Sequence, residues 1–231
     1  MNIIEGLTNF GLTRQEATIY VLLLKNGQLT GYEAAKQTGI SRSNTYTALA
    51  GLVDKGAAYM VEEDKVTRYT PVSVDEFCSN KIRRLYAIKA EIENQVPQAS
   101  GDPEGYITIR GEEEIINKLK NTITEAQFRI YLSAGSKVLA LLRPELEKSL
   151  ARRLKVVIIG EKGAKIPGSV YYSVKKSPGQ IRLISDSHTV ITGDIDNGED
   201  STCLYSCKRN LVDLFKDAVK NEIELLKLKE R

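Results

Sequence analysis

The 231-residue sequence predicts an α+β protein with more than one domain. Three observations predict this fold class. Three short helical patterns and a β-hairpin occupy residues 1–72, one helical pattern without Gly or Pro fills residues 73–96, and strands alternate with helices from residue 106 onward. We therefore expect a winged helix-turn-helix in residues 1–72, a long helix in residues 73–98 and an α/β domain in residues 104–231.

The winged helix-turn-helix prediction depends on clear boundary signals. Thr13 and Glu16 have the spacing of a capping box, and Ser41 is a good N-cap for the third helix. After Gly56 the periodicity changes to that of short strands around a polar tip at residues 62–65, which indicates a hairpin. The expected elements are helices at residues 13–26, 32–38 and 41–55, and strands at residues 58–61 and 66–69.

The helix predicted for residues 73–96 carries an apolar seam. Its apolar residues recur at spacings of three and four, which places them on one face. They are Val74, Cys78, Ile82, Leu85, Ile88, Ile92 and Val96. At 1.5 Å per residue such a helix is roughly 35 Å long, and we expect it to pair two subunits as a coiled coil. Pro97 and the polar residues 98–103 mark a linker.

Strand–helix alternation predicts the α/β domain. Helices are expected at residues 112–126, 137–150 and 210–229, with Pro144 breaking or restarting the second one. The expected strands are residues 106–109, 129–133, 155–159, 170–174, 180–184, 188–192 and 202–206, with an acidic loop at residues 194–200.

Composition excludes several classes of protein. The net charge is +3, and residues 1–72 hold seven basic and seven acidic side chains, so nucleic-acid binding there must depend on how charge is arranged. No apolar run approaches the roughly 18–20 residues of a membrane span. The N-terminus lacks the basic and apolar regions of a secretory signal. We expect a cytoplasmic protein with no membrane partner.

Few residues are available for chemistry. His188 is the single histidine and there are three cysteines, so neither a His-rich metal site nor a disulfide framework is expected. The nucleotide-binding patterns GxxxxGK[ST] and GxGxxG are absent. A binding or regulatory protein remains, or an enzyme that uses carboxylates or a lone histidine. We expect no metal, no cofactor and no catalytic residues.

The helix-turn-helix indicates double-stranded DNA as the partner, because its second helix enters the major groove with its N-terminal side chains near base edges. Arg42 can grip guanine and Asn44 adenine, while hydroxyls serve phosphates or bases. On the hairpin, Lys65 and Arg68 can reach a phosphate or the minor groove. The predicted DNA-binding residues are Ser41, Arg42, Ser43, Asn44, Tyr46, Thr47, Lys65 and Arg68. A winged helix that binds only protein is an alternative, supported by the neutral charge of residues 1–72.

Residues 7–72 resemble the N-terminal domain of the TrmB family of prokaryotic transcriptional regulators. The resemblance lies in Gly11-Leu12-Thr13, then Glu16-Ala17 and Tyr20, and in Leu52 with Lys55-Gly56 before the hairpin. It implies a homodimer that binds operator DNA and responds to a sugar or another small molecule. It also implies a coiled-coil helix and a phospholipase-D-like C-terminal domain. Larger members add a sugar-binding domain, which we do not expect after the helix ending at Lys229.

A phospholipase-D-type phosphodiesterase or nuclease is the alternative function. Its motif, His-x-Lys-x4-Asp, uses the histidine as nucleophile and the lysine to stabilise the oxyanion. The one candidate here starts at His188, but Val190 replaces the lysine and Asp194 comes one residue early. These departures disfavour catalysis by this route.

An effector site can be placed only from the general behaviour of open α/β sheets, which bind ligands beyond the carboxyl ends of their strands. Residues after the predicted strands are the candidates, together with His188 as a pocket wall. They are Ser133, Gly135, Ser136, His188, Thr192 and Asp194.

Overall fold

The computed structural model describes residues 2–63, 66–96 and 105–229, without the side chains of residues 63 and 229. Two compact units are present, Met1–Ala99 and Ser100–Arg231. Helices with a small sheet in the first unit and a mixed sheet in the second confirm the α+β class. Lys65 and the predicted linker at residues 97–103 lie outside the described residues. No helix in the described ranges is long and apolar enough to cross a membrane.

The N-terminal unit is a winged helix-turn-helix followed by a long helix. Its elements are α1 (Ile3–Asn9), α2 (Arg14–Asn26), β1 (Leu29–Thr30), α3 (Gly31–Thr38), α4 (Arg42–Asp54), β2 (Ala58–Glu63), β3 (Val66–Pro71) and α5 (Val74–Gln95). The strands form an antiparallel sheet in the order β1-β3-β2. Helix α1 and strand β1 are additions to the elements predicted from sequence.

Side-chain caps explain where these helices begin. Thr13 and Glu16 form the predicted capping box of α2, and Thr30 with Glu33 forms another for α3. The hydroxyl of Ser41 accepts the amide hydrogen of Asn44, which confirms Ser41 as the N-cap of α4. Each cap satisfies an amide that has no partner within the helix.

Glu16 also joins α2 to the end of α4. Its side chain is buried, and Lys55 Nζ lies 2.6 Å from its Oε2. Burial opposes ionisation, but the Lys55 ammonium and the Thr13 amide outweigh it and hold the pKa of Glu16 below its usual value. The packing of α2 against α4 therefore contains an ion pair in which the Lys55 ammonium balances the charge of the Glu16 carboxylate.

The apolar seam of α5 is exposed over its whole length except for half-buried Cys78. Phe77 is the buried residue of α5, and its ring contacts the ring of Tyr20 at 5.7 Å between centroids. Beyond this contact the seam faces outward in the single chain, with Leu85 and Ile92 each 54% exposed. The helix is thus anchored at its N-terminal end alone within the described part of the unit.

The C-terminal unit contains a seven-stranded mixed sheet. Its elements are β4 (Ile107–Arg110), α6 (Glu112–Glu125), β5 (Arg129–Ala134), α7 (Ser136–Ala151), β6 (Lys155–Gly160), β7 (Val170–Ser173), β8 (Gln180–Ser185), β9 (Thr189–Asp194), a 3-10 turn (Gly198–Asp200), β10 (Thr202–Ser206) and α8 (Arg209–Lys229). The strand order is β4-β10-β9-β8-β5-β6-β7.

Strand directions define two edges of this sheet. Strands β5, β6 and β7 are parallel, and β9 runs the same way because both β5 and β9 are antiparallel to β8. We call the edge where these four strands end the carboxyl edge, and the edge where they begin the amino edge.

Helices cover both faces of the sheet. Helices α6 and α7 pack on one face around Leu119, Leu142 and Ile158. Helix α8 packs on the other face around Ile184, Val190 and Val219. Both layers are apolar, so the central strands β5, β6 and β8 are buried on two sides.

Two local predictions need correction. Pro144 neither breaks nor restarts its helix, because α7 is continuous from Ser136 to Ala151. Proline frees the carbonyl four residues earlier, here that of Ala140, and Ala140 is exposed, so the loss is tolerated. His188 lies in the turn before β9, with the left-handed residues Asp186 and Ser187 beside it, and does not begin the strand.

Candidate nucleic-acid interface and effector site

The start of α4 presents a polar surface. One side of this helix is buried through Thr45, Leu49 and Leu52. The other side is exposed and carries the six DNA-contact candidates on this helix and its N-cap. They are Ser41, Arg42, Ser43, Asn44, Tyr46 and Thr47. The structure thus brings these six side chains together on one accessible face.

Hydrogen bonds within the protein show which of these six side chains have donors and acceptors left to contact DNA. The Thr47 hydroxyl donates to the carbonyl of Ser43 at 3.0 Å, and the Ser41 hydroxyl accepts an amide as the cap. The side chains of Ser43 and Asn44 make no hydrogen bond within the described residues. The side-chain amide of Asn44 can therefore present both a donor and an acceptor to a base edge.

Two tyrosines make contacts between α3 and α4: Tyr32 contacts Arg42, and Tyr46 contacts Gly31. The Arg42 guanidinium carbon lies 4.7 Å from the ring centroid of Tyr32, a cation–π contact. The ring of Tyr46 lies on the backbone of Gly31, since a Cβ there would be 2.4 Å from its Cε1. Tyr32 was not among the predicted residues. In the sequence, Tyr32 directly follows Gly31 at the start of α3. That position is the feature that could have indicated the contact with Arg42.

The wing contributes less free charge than the sequence suggests. Arg68 lies 4.0 Å from Oε2 of Glu33, and both side chains are partly exposed. Hydrogen bonds from the amide and hydroxyl of Thr30 lower the pKa of Glu33, and the Arg68 charge adds to them. Glu33 is therefore ionised beside Arg68 and offsets part of its positive charge. Lys65, which falls between β2 and β3 in the sequence, lies outside the described residues.

Five of the six effector candidates gather at the carboxyl edge of the C-terminal sheet. Strand β5 ends beside Ser133, and α7 begins at Gly135 and Ser136. Strand β9 ends at Asp194, and Thr192 pairs with Arg182, which in turn pairs with Ser133. His188 is the exception. It lies at the amino edge, beside a small cavity of ≈190 Å³ lined also by Thr122 and Asp186.

Three of the five candidates at the carboxyl edge have little open space around them or no free hydroxyl proton. Gly135 is buried, and a Cβ there would lie 2.2 Å from the carbonyl oxygen of Pro178. The Thr192 hydroxyl donates to the carbonyl of Ile181 at 3.3 Å. Ser133 is 1% exposed and its hydroxyl makes no hydrogen bond within the described residues. Ser136 and Asp194 are the two candidates of this group that are exposed.

The geometry does not support a phospholipase-D-type pair of His188 and Asp194. His188 precedes β9 at the amino edge, and Asp194 ends β9 at the carboxyl edge. Six residues of extended chain span about 20 Å, which is far beyond the hydrogen-bonding distance that a catalytic pair needs. The described residues also contain no cluster of three or more potential metal ligands.

Two family models match the chain. Residues 7–75 match the sugar-specific transcriptional regulator TrmB, and residues 105–199 match the N-terminal subdomain of the effector-binding domain of transcriptional regulator TrmB.

Two curated proteins are similar over much of the sequence. An uncharacterized protein, YrhO of Bacillus subtilis, is 26% identical over 98% of this chain and 86% of its own length. The HTH-type sugar sensing transcriptional regulator TrmBL1 of Pyrococcus furiosus is 29% identical over 63% of this chain. That match covers 44% of the length of TrmBL1.

Solved structures show weaker likeness. TrmBL2, an archaeal chromatin protein, is 23% identical with a TM-score of 0.46 over 96% of each chain. NucT from Helicobacter pylori is 14% identical with a TM-score of 0.44, over 52% of this chain and 97% of its own. The phospholipase D family member Nuc from Salmonella typhimurium is 14% identical with a TM-score of 0.40, over 51% of this chain and 93% of its own.

Proposed function

Since the chain belongs to the TrmB family of DNA-binding transcriptional regulators, we propose that it acts as a homodimer that reads a specific operator and responds to a small-molecule effector. The observation that carries this proposal is the exposed polar start of α4. Its outward side combines a guanidinium, an amide and several hydroxyls, which are the groups that discriminate bases and grip phosphates.

Each side chain has a proposed role at the DNA. Arg42 binds guanine through O6 and N7, and Asn44 binds adenine through N6 and N7. The hydroxyls of Ser41 and Ser43 donate to phosphates or bases, the Thr47 hydroxyl accepts from a base amino group, and Tyr46 packs at the edge of the groove. Lys65 and Arg68 on the wing contact the phosphate backbone. Because residues 1–72 carry no net charge, we expect base contacts to contribute a large share of the affinity.

The homodimer is proposed to form through α5. Its seam of exposed apolar residues runs along one face of a 22-residue helix. Pairing two such seams removes this apolar surface from water. Two recognition helices related by a twofold axis then read an inverted repeat.

The effector is proposed to bind the C-terminal unit, in which residues 105–199 match the N-terminal subdomain of the family's effector-binding domain. One relative, TrmBL1, is named as sugar sensing, so sugars and sugar derivatives are the first candidates. A ligand alters transcription only if it binds the DNA-bound and free forms with different affinity. We expect that coupling to pass through α5 and alter the spacing of the two recognition helices.

The test is selection of tight-binding sequences from a random duplex DNA pool by the full chain. We expect an inverted repeat to be enriched. Arg42→Ala should relax the preference at one guanine in each half-site, because a bidentate pair discriminates by about 1–3 kcal/mol. Arg83→Ala, on the face of α5 opposite the seam, is the matched control and should select the wild-type sequence. An Arg42→Ala protein that enriches the same repeat with unchanged affinity would refute the assignment.

A further inference from the structure

The C-terminal unit contains a second, larger cavity that the sequence did not predict. Its volume is ≈500 Å³, and it lies between α8 and strands β5, β6, β7 and β8. Arg129 and Lys155, which begin β5 and β6 as neighbours in register, place it toward the amino edge. It is therefore at the opposite edge from Ser136 and Asp194. Its size falls within the range of pockets that hold small organic ligands, roughly 300–1,000 Å³.

The floor of this cavity is apolar. Val157, Ile184 and Val219 line it, and all three are at most 5% exposed. The half-buried rings of Tyr131 and Tyr172 complete this surface. A floor of this kind favours a ligand with an apolar or ring-shaped body.

The rim of the cavity is strongly basic. Five cationic side chains line it against two carboxylates, those of Asp217 and Glu224. The cations are Arg129, Lys155, Lys216, Lys220 and Lys227. Among the described residues no carboxylate lies within 4.0 Å of the side-chain nitrogens of Lys155, Lys220 or Lys227, whereas Lys216 lies 3.5 Å from Asp213. Most of this positive charge is thus available to a ligand.

Helix geometry directs the lysines of α8 to one place. Lys220 and Lys227 are four and eleven residues after Lys216, so all three lie on one face of the helix. That face also carries Val219 and Ile223, which line the cavity. Lysine ammonium groups at the rim of an apolar cavity floor are suited to binding an amphiphilic anion.

We propose that this cavity binds a small organic anion, with its carboxylate or phosphate at the lysine rim and its apolar or ring-shaped part against Val157, Ile184 and Val219. We further propose that this anion is the effector. The role of the anion as effector rests on the proposed regulatory function, whereas anion binding in the cavity does not. An acyl carboxylate and a sugar phosphate share the required chemistry.

The binding test uses the full chain and the fluorescent probe 1-anilinonaphthalene-8-sulfonate, an aromatic anion whose emission rises in apolar surroundings. We expect saturable binding. The double substitution Lys220→Gln with Lys227→Gln should weaken binding about tenfold, since two charged contacts are lost. Val170→Trp should block binding by filling the cavity from a half-exposed edge strand. The control Lys148→Gln with Lys165→Gln removes two exposed lysines away from the cavity and should leave binding unchanged.

Competition identifies the source of the anion. Displacement of the probe by decanoate indicates an acyl carboxylate, and displacement by glucose 6-phosphate indicates a sugar phosphate; either supports the proposal if glucose does not compete. Failure of both anions to displace the probe, equal displacement by glucose, or wild-type probe binding by both cavity variants would overturn the site. A displacing anion that leaves DNA affinity unchanged would overturn its role as effector, while the DNA selection described above tests regulation independently.

Discussion

Asp186 shows how one carboxylate organises a strand start. It lies in the β8–β9 turn with φ of +51°, and it accepts the amide hydrogens of Gln127, Phe128 and Arg129 at 2.7 to 2.8 Å. Burial opposes ionisation, but these three amides and the Arg129 charge together lower the pKa of Asp186. The ionised form thus fixes the entry of the chain into β5.

We predict that Asp186→Asn lowers the free energy of unfolding at neutral pH by about 1–3 kcal/mol, because an amide offers one acceptor oxygen where the carboxylate offers two. Asn tolerates the left-handed backbone, so the effect isolates the hydrogen bonds. The native pKa is lowered from its usual value near 3.8. The wild-type advantage is therefore present above about pH 4 and is lost as the pH falls through the native pKa.

Urea unfolding followed by circular dichroism at pH 7 and pH 3 measures this difference. The gap between wild type and Asp186→Asn should narrow at pH 3. A gap of equal size at both pH values would show that the carboxylate charge has no part in it.

The ring of Tyr32 contacts Arg42, and we expect this contact to position Arg42 for DNA binding. We predict that Tyr32→Ala weakens operator binding roughly two- to fivefold, because an exposed cation–π contact contributes about 0.5–1 kcal/mol. Fluorescence anisotropy with the selected DNA gives the affinity, and the thermal midpoint should change little since Tyr32 is half exposed. Tyr32→Phe keeps the ring and should bind as wild type. Wild-type affinity for Tyr32→Ala would contradict this role.

At the scale of elements, the exposed seam of α5 is the feature that the single chain leaves unexplained. We predict that Leu85→Asp converts a dimer into a monomer, since a charge in a closed apolar seam is left without a partner. Ala87→Glu introduces a charge on the opposite face of the same helix and should remain dimeric. Sedimentation equilibrium at micromolar concentration distinguishes these states. A monomeric wild type, or a Leu85→Asp dimer, would rule out this interface.

Local signals explain why most elements could be predicted from the sequence. Capping residues and hydrophobic period are properties of neighbouring residues, so α2, α4 and β10 appear near their predicted bounds. Helix α1 has the same kind of signal, an Asn2–Glu5 capping box, but spans just seven residues. Strand β1 has two residues and exists because Leu29 and Thr30 pair with β3, a contact between distant segments that no local pattern encodes.

The candidate sites likewise include parts that local sequence predicts and parts that depend on contacts between distant segments. Ser41 as N-cap sets which residues of α4 face outward, so that surface could be predicted. The stacking of Tyr32 on Arg42 depends on how two helices pack. His188 begins and Asp194 follows the strand predicted for residues 188–192, so the sequence alone already separates them by the length of that strand, and β9 places them at opposite edges of the sheet. The basic cavity arises where α8 packs against four strands, which is visible only in the folded unit.

At the scale of the whole molecule, the two units carry different chemistry. The N-terminal unit presents a neutral, hydrogen-bonding surface suited to base edges, and the C-terminal unit presents a basic cavity suited to a small anion. This division suits a regulator in which one ligand alters affinity for another, and such coupling is reciprocal. The central claim is sequence-specific DNA binding, on which the regulatory role of the cavity depends.

Fluorescence anisotropy of the full chain measures sequence-specific DNA binding, using DNA from upstream of its own gene and an unrelated fragment of equal length across a salt series. We expect tighter binding to the upstream DNA at every salt concentration, with affinity for both fragments falling as salt rises. Equal, weak binding to both fragments would contradict sequence-specific binding.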